Sequence, residues 1–145
     1  MQVDAAEERP KIVLEAYAPT GFDVSNMIQK VDEELDVERG EVHMTGSILA
    51  MNRACFLWNH IASSSDVTYE SLSPILVYRP KIKYLFIGCN TPIPQLPDIK
   101  RRLKEEADIV AEQLTIHNAM GTFNILNGED RSVAAALVLE DNDES

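Results

Sequence analysis

The sequence predicts a single compact domain of mixed α/β (α+β) class, with an antiparallel, β-rich N-terminal half followed by a β-α-β-α-β half. Three observations carry this reading. The chain of 145 residues has the length of one domain. Its first sixty residues alternate short apolar runs with turn residues, whereas from residue 82 onward strand-length apolar runs alternate with helix-period segments. Hydrophobic residues make up 45% and charged residues 26%, the balance of a chain with a real core. No apolar run approaches the roughly 18 residues of a membrane-spanning helix.

The acidic, aperiodic stretches 1–10 (MQVDAAEERP) and 140–145 (EDNDES) read as tails, which places the domain at 11–139. Residues 11–18 (KIVLEAYA) have strand composition, 19–21 a turn and 22–24 a second short strand, an opening hairpin. Residues 25–40 end in VDEELDVERG and hold too few apolar positions to choose between a short solvated helix and an extended acidic loop. Residues 41–44, 47–51 and 54–58 are further short strands, with Gly46 and Asn52-Arg53 as turns, so the first sixty residues predict one antiparallel meander. Thr68 then N-caps a helix that carries Leu72, Ile75 and Leu76 and stops before Pro80, because the residue preceding proline avoids the α region.

Residues 82–89 (IKYLFIGC) are almost continuously apolar, as in a strand covered on both faces. Beyond the loop with Pro92, Pro94 and Pro97, residues 96–107 form a helix with Ile99, Leu103 and Ala107 on one face and basic residues on the other. Residues 108–114 (DIVAEQL) read as a strand, Asn118 caps a helix over 119–126 closed by Gly128, and 132–139 (SVAAALVL) is the last strand. This order packs most naturally as a small parallel sheet.

Thirteen basic against 24 acidic residues give a formal charge of −11, which opposes general affinity for nucleic acid or anionic membrane. The charge is segregated. Between Arg79 and Lys104 seven basic residues stand against one acid, Asp98, so that segment carries +6 and the remainder −17. Lys100, Arg101, Arg102 and Lys104 form the candidate partner-binding patch, with an ordinary solvated helix face as the simpler account. Aromatic residues are not interleaved with them, as single-stranded nucleic-acid binding would require.

No catalytic, cofactor or metal site is expected. The two cysteines lie 34 positions apart without a CxxC motif, and His43, His60 and His117 are scattered, so neither a disulfide framework nor zinc has spacing to support it. The candidate pocket is the carboxyl end of the strand over 82–89. There Gly88, Cys89, Asn90 and Thr91 would face a ligand, with His117 or Asn124 as polar contacts. Cys89 as a nucleophile would need a lowered pKa and an orienting partner, and a buried thiol is the simpler account. One glycine and three prolines make the loop a poor phosphate cradle. Asn124, flanked by Phe123, Ile125 and Leu126, reads as a polar group satisfying nearby backbone.

Several short stretches in order also carry a resemblance: Gly46-Ser47-Ile48-Leu49, Trp58 ahead of residues 66–72 (DVTYESL), and Pro80-Lys81-Ile82 opening the strand that ends at Gly88. They are followed by residues 119–126 (AMGTFNIL), Arg131 and residues 133–137 (VAAAL). Over about 95 residues this resembles the family of mitochondrial NADH:ubiquinone oxidoreductase (complex I) assembly factor 3 and its small single-domain prokaryotic relatives. The resemblance implies a compact α/β domain and a non-catalytic assembly factor or scaffold that binds immature complex I subunits. It also implies an assembly-factor-4-like partner and the mitochondrial matrix, with membrane association only through partners. The acidic N-terminus is the opposite of a mitochondrial presequence, so one would be removed or absent from this chain. The chain departs from the family in the acidic insertion at 31–40, the basic helix at 100–104 and the proline-rich loop after Gly88. Two alternatives stand beside it: an assembly factor for another large assembly such as the mitochondrial ribosome, where RNA would be met, and a small-ligand-binding domain or enzyme using the strand-end pocket.

Overall fold

The computed structural model describes residues 11–30 and 37–140. The acidic stretches 1–10, 31–36 and 141–145 lie outside the described residues. In chain order the elements are β1 (Val13–Ala18), β2 (Gly21–Lys30), β3 (Val37–Met44), β4 (Ile48–Ala50), β5 (Cys55–Leu57), α1 (Ser73–Val77), β6 (Tyr84–Gly88), α2 (Leu96–Ala107), β7 (Val110–Leu114), α3 (Ile116–Gly128) and β8 (Val133–Leu137). The mixed α/β class follows the expectation, including parallel pairing of β6 with both β7 and β8.

The first five strands do not form one meander. β1, β2 and β3 make an antiparallel sheet of their own, while β4 and β5 join the second half in a five-stranded sheet of order β5-β4-β8-β6-β7. The reason lies in β8. All five of its residues are buried, so both edges need hydrogen-bonding partners. β6 supplies one and β4 the other, with Leu49 opposite Ala136.

Side chains along these strands alternate between two apolar clusters, one on each face. Leu85, Ile87, Ala134 and Ala136 face Ile99 and Leu103 of α2 together with Trp58. Val133, Ala135 and Leu137 face Phe123 of α3 and Leu14, Phe22 and Val24 of the three-stranded sheet. Gly88 is where α3 comes closest. A Cβ there would stand 2.6 Å from a methyl of Leu137 and 2.9 Å from the Cβ of Ala119.

The predicted bounds of α2 hold, with Pro97 in its first turn and Ile99 and Leu103 buried. Its end is capped by Asp108 in the left-handed region at φ 57. Three local expectations are corrected. Residues 25–30 and 37–40 form neither the short helix nor the extended loop but continue β2 and β3, which pair from Met27↔Gly40 to Lys30↔Val37. α3 starts a turn early, since Thr115, not Asn118, is the N-cap and its side chain accepts from Asn118 N–H at 3.3 Å. The left-handed residue beyond α3 is Asp130 at φ 64, not Gly128, which is helical. Thr68 behaves as predicted in kind, accepting from Ser71 N–H at 3.1 Å, but the first turn it caps is 3-10 and α1 proper spans only Ser73–Val77.

Candidate functional site

At the end of β6 the polar groups are turned inward upon each other. The Asn90 carboxamide oxygen accepts from Ile116 N–H at 2.9 Å, which fixes the start of α3. Gln113 donates to the carbonyls of Cys89 and Thr91 at 3.1 and 2.8 Å, and the Thr91 hydroxyl donates to Glu140 at 2.8 Å. Burial pushes the Cys89 thiol above its ordinary pKa, opposite to what a nucleophilic thiolate needs. The cleft here, about 420 Å³, is lined by Cys89, Asn90 and Thr91 with Pro92, Leu96 and Gln113.

Of the residues expected around it, the structure brings Cys89 and Asn90 to this cleft. Gly88 lies beneath α3. The His117 ring stands edge-on to Tyr17 with centroids 5.4 Å apart. Asn124 bonds both backbone groups of Leu14, donating to its carbonyl and accepting from its N–H, each at 2.9 Å.

The basic face of α2 is less free than the sequence suggests. Arg101 bonds Asp98 at 2.6 Å and Glu105 at 3.3 Å. Arg102 reaches Glu70 at 3.1 Å and Glu106 at 3.5 Å and lies 4.1 Å from the centre of the Tyr69 ring, and Lys104 pairs with Asp108 at 3.2 Å. The neighbouring carboxylates hold both guanidiniums above their ordinary pKa. Lys100 shares the exposed side of this helix.

A wider apolar groove lies elsewhere. Between β5 and α1 runs a groove of about 980 Å³ whose walls include Leu49, Phe56, Trp58, Ile61, Pro74 and Val77. Phe56 and Leu57 are each 47% exposed and Val77 is 72% exposed. The floor is fixed by the Trp58 indole N–H, which donates to the Ser71 carbonyl at 2.8 Å. β5 is also an edge. Trp58 N–H bonds the Ser47 carbonyl and Met51 N–H the Ala54 carbonyl. By the alternation of antiparallel pairing, Phe56 therefore turns its backbone groups to β4, while Cys55 and Leu57 turn theirs outward. His60, on the rim, is held at φ 74, a region side chains rarely adopt. The sequence signal for this groove is only the apolar run Phe56-Leu57-Trp58, which by itself reads as core.

Chemically the groove offers apolar contact and a free strand edge. Among the described residues no group of three or more His, Cys, Asp or Glu converges as a metal site, and no helix is long and apolar enough to cross a membrane.

Comparison with known proteins matches residues 14–138 to a family described as a protein of unknown function (DUF498/DUF598). The chain is 30% identical over 130 residues to a Drosophila melanogaster protein named NADH dehydrogenase [ubiquinone] 1 alpha subcomplex assembly factor 3, covering 88% of this chain and 58% of that protein. It spans about six tenths of the length of the curated relatives it matches over most of its own. Two solved bacterial structures share the fold. A Bartonella henselae protein described as an outer membrane protein has a TM-score of 0.66 at 24% identity, with 92% of this chain and 98% of that one covered. A Bordetella pertussis protein described as a Mth938-like domain has a TM-score of 0.58 at 17% identity, with 97% and 92% covered.

Proposed function

The chain belongs to the DUF498/DUF598 family, and from that membership we propose that it is an assembly factor acting by binding rather than by turnover. Its clients are immature subunits of a large mitochondrial complex, respiratory complex I first, in the company of an assembly-factor-4-like protein in the matrix. The observation that carries the reading is the groove between β5 and α1. Exposed apolar side chains on both walls, beside unpaired strand-edge groups, fit an apolar segment of a subunit that has not yet met its neighbours. The relatives named as complex I assembly factor 3 support this choice of client.

Lys100, Arg101, Arg102 and Lys104 remain a proposed steering patch. Its field is reduced by the carboxylates of Asp98, Glu105, Glu106 and Asp108. Affinity capture of the tagged chain at low salt, with mass spectrometry of what is retained, tests the proposal. Complex I subunits are expected with the wild-type chain and are lost with the Phe56→Ser/Val77→Ser double variant, whose melting temperature is unchanged because both positions are exposed. Reversal of the four α2 charges is expected to slow capture without abolishing it. Recovery of ribosomal proteins instead would transfer the fold to another assembly. Loss of capture on Cys89→Ser, with the groove variant unaffected, would move the site to the strand-end cleft.

A further inference from the structure

The register of β2 and β3 sets Asp23 directly opposite His43, so a carboxylate and an imidazole meet across the ladder. His43 Nδ1 lies 2.6 Å from Asp23 Oδ1. Its other nitrogen, Nε2, lies 3.2 Å from the Thr20 hydroxyl and 3.3 Å from the Thr20 carbonyl oxygen. Thr20 is the second residue of the two-residue turn that joins β1 to β2. One ring thus touches β2, β3 and the turn.

The chemistry of these contacts selects a protonation state. A neutral imidazole that gives its N–H to Asp23 turns a lone pair toward the Thr20 carbonyl, which is also an acceptor, and gains only the Thr20 hydroxyl. An imidazolium donates from both nitrogens and satisfies the carboxylate and the Thr20 oxygens together. The hydrogen bond that His43 donates to Asp23 is the largest cause of its titrating above its ordinary value of 6.5. Partial burial of the ring opposes this rise, and other carboxylates stand on the elements packed here. Glu41 precedes His43 by two residues on the same face of β3, Glu15 of β1 accepts from Ser25 at 2.6 Å, and Glu140 borders the cleft beside Thr20. Lys30 and Arg39 occupy register positions toward the other end of the β2–β3 ladder.

Thr, His and Asp in this order also resemble a hydrolytic triad. The carbonyl on Nε2 argues against that use, because it favours a proton on the nitrogen that a general base must keep free. Pro19 and Thr20 instead form one wall of a cleft of about 450 Å³, faced by Gly46, Ser47, Leu139 and Glu140.

We propose that Thr20, Asp23 and His43 form a proton-operated clasp: charged His43 pins the β1–β2 turn to β3, and its deprotonation gives up the bond to the Thr20 carbonyl and loosens the turn and the cleft wall it carries. The proposal does not depend on the groove reading. Because the folded-state pKa is raised, the attachment is complete below 6.5 and is lost as pH rises through the folded value. With the His43 and Asp23 side chains 42% and 35% exposed, salt weakens the clasp.

The test is an NMR titration of the full chain. The His43 ring is expected to titrate above 6.5, and in Asp23→Asn its midpoint falls toward that value. After correction for the intrinsic base-catalysed rate, the amides of Thr20 and Gly21 exchange several-fold faster above the His43 midpoint than below it. In His43→Gln that step is absent, and in Thr20→Val, which keeps the carbonyl, it is reduced. A His43 midpoint at or below 6.5, or turn exchange that does not change across it, overturns the proposal.

Discussion

The two sheets of this molecule are held by different means. The middle of the five-stranded sheet is covered on both faces, and its central β8 is built of Val, Ala and Leu with no exposed residue. The three-stranded sheet buries one face, through Leu14, Phe22 and Val24, and is tied to α3 by polar side chains. Asn124 donates to and accepts from Leu14 as a neighbouring strand would, so a helix side chain supplies the pairing that the edge of β1 lacks. One turn away Asn127 donates to the carbonyls of Ile12 and Asn52, while Lys11 bonds Asp130 and the Asn127 carbonyl. Packing that is dry on two sides resists local opening, whereas packing on one side plus a few amide bonds defines a region that can open alone.

The largest expected effect removes the part both sheets share. Phe123→Ala empties a fully buried site on α3 and should cost about 3–5 kcal/mol in urea unfolding, with both sheets lost in one transition. Gly88→Ala acts on the five-stranded sheet, where the added methyl meets Leu137 and Ala119; about 1–3 kcal/mol is expected, read as a lower melting temperature. Asn124→Ala leaves the N–H and carbonyl of Leu14 without their partner and should cost about 1–3 kcal/mol. Its signature is faster amide exchange in β1 and β2 with β6 and β8 unchanged; equal acceleration everywhere would erase the distinction between the sheets.

Thiol labelling sharpens it further. Burial pushes the Cys55 thiol up to about 12, so it should react only on unfolding and report the opening of the β4–β5 hairpin. The smallest effect is expected from Arg101→Met, whose ion pairs are exposed to solvent and whose melting temperature should match that of the wild type in 0.5 M salt, on the order of a 4 Å Debye length.

How much of this was legible in the sequence depends on the range of the interaction that decides each element. α2 could be read to the residue because Pro97, Ile99 and Leu103 are local signals for its start and buried face. β6 and β8 were legible as apolar runs of strand length. The membership of β4 and β5 in the second sheet was not, since it is settled by the need of β8 for a partner some 85 residues away in sequence. The extension of β2 and β3 through residues 25–30 and 37–40 likewise comes from cross-strand pairing, not from an apolar pattern.

The charge count misled for a related reason. A window closed at Lys104 leaves out Glu105, Glu106 and Asp108, which lie one helical turn from Arg101, Arg102 and Lys104, and Glu70, which reaches Arg102 from 32 residues away. Of the candidate pocket, Cys89 and Asn90 follow the end of β6 and line a cleft there. The groove required knowing that Phe56 lies on an edge strand opposite α1. The meeting of Asp23 with His43 is a fact of register, invisible at a spacing of twenty residues.

The position of β8 has a consequence for biosynthesis. Among the described residues it is the last strand in chain order, yet it stands between β4 and β6 in the middle of its sheet. While the chain is being made, the hairpin of β4 and β5 and the parallel pair of β6 and β7 have no hydrogen bonds to each other. Both wait with an open edge for residues 133–137 to leave the ribosome. The sheet therefore cannot close before residues 133–137 have emerged, and until then the nascent chain exposes two unpaired edges.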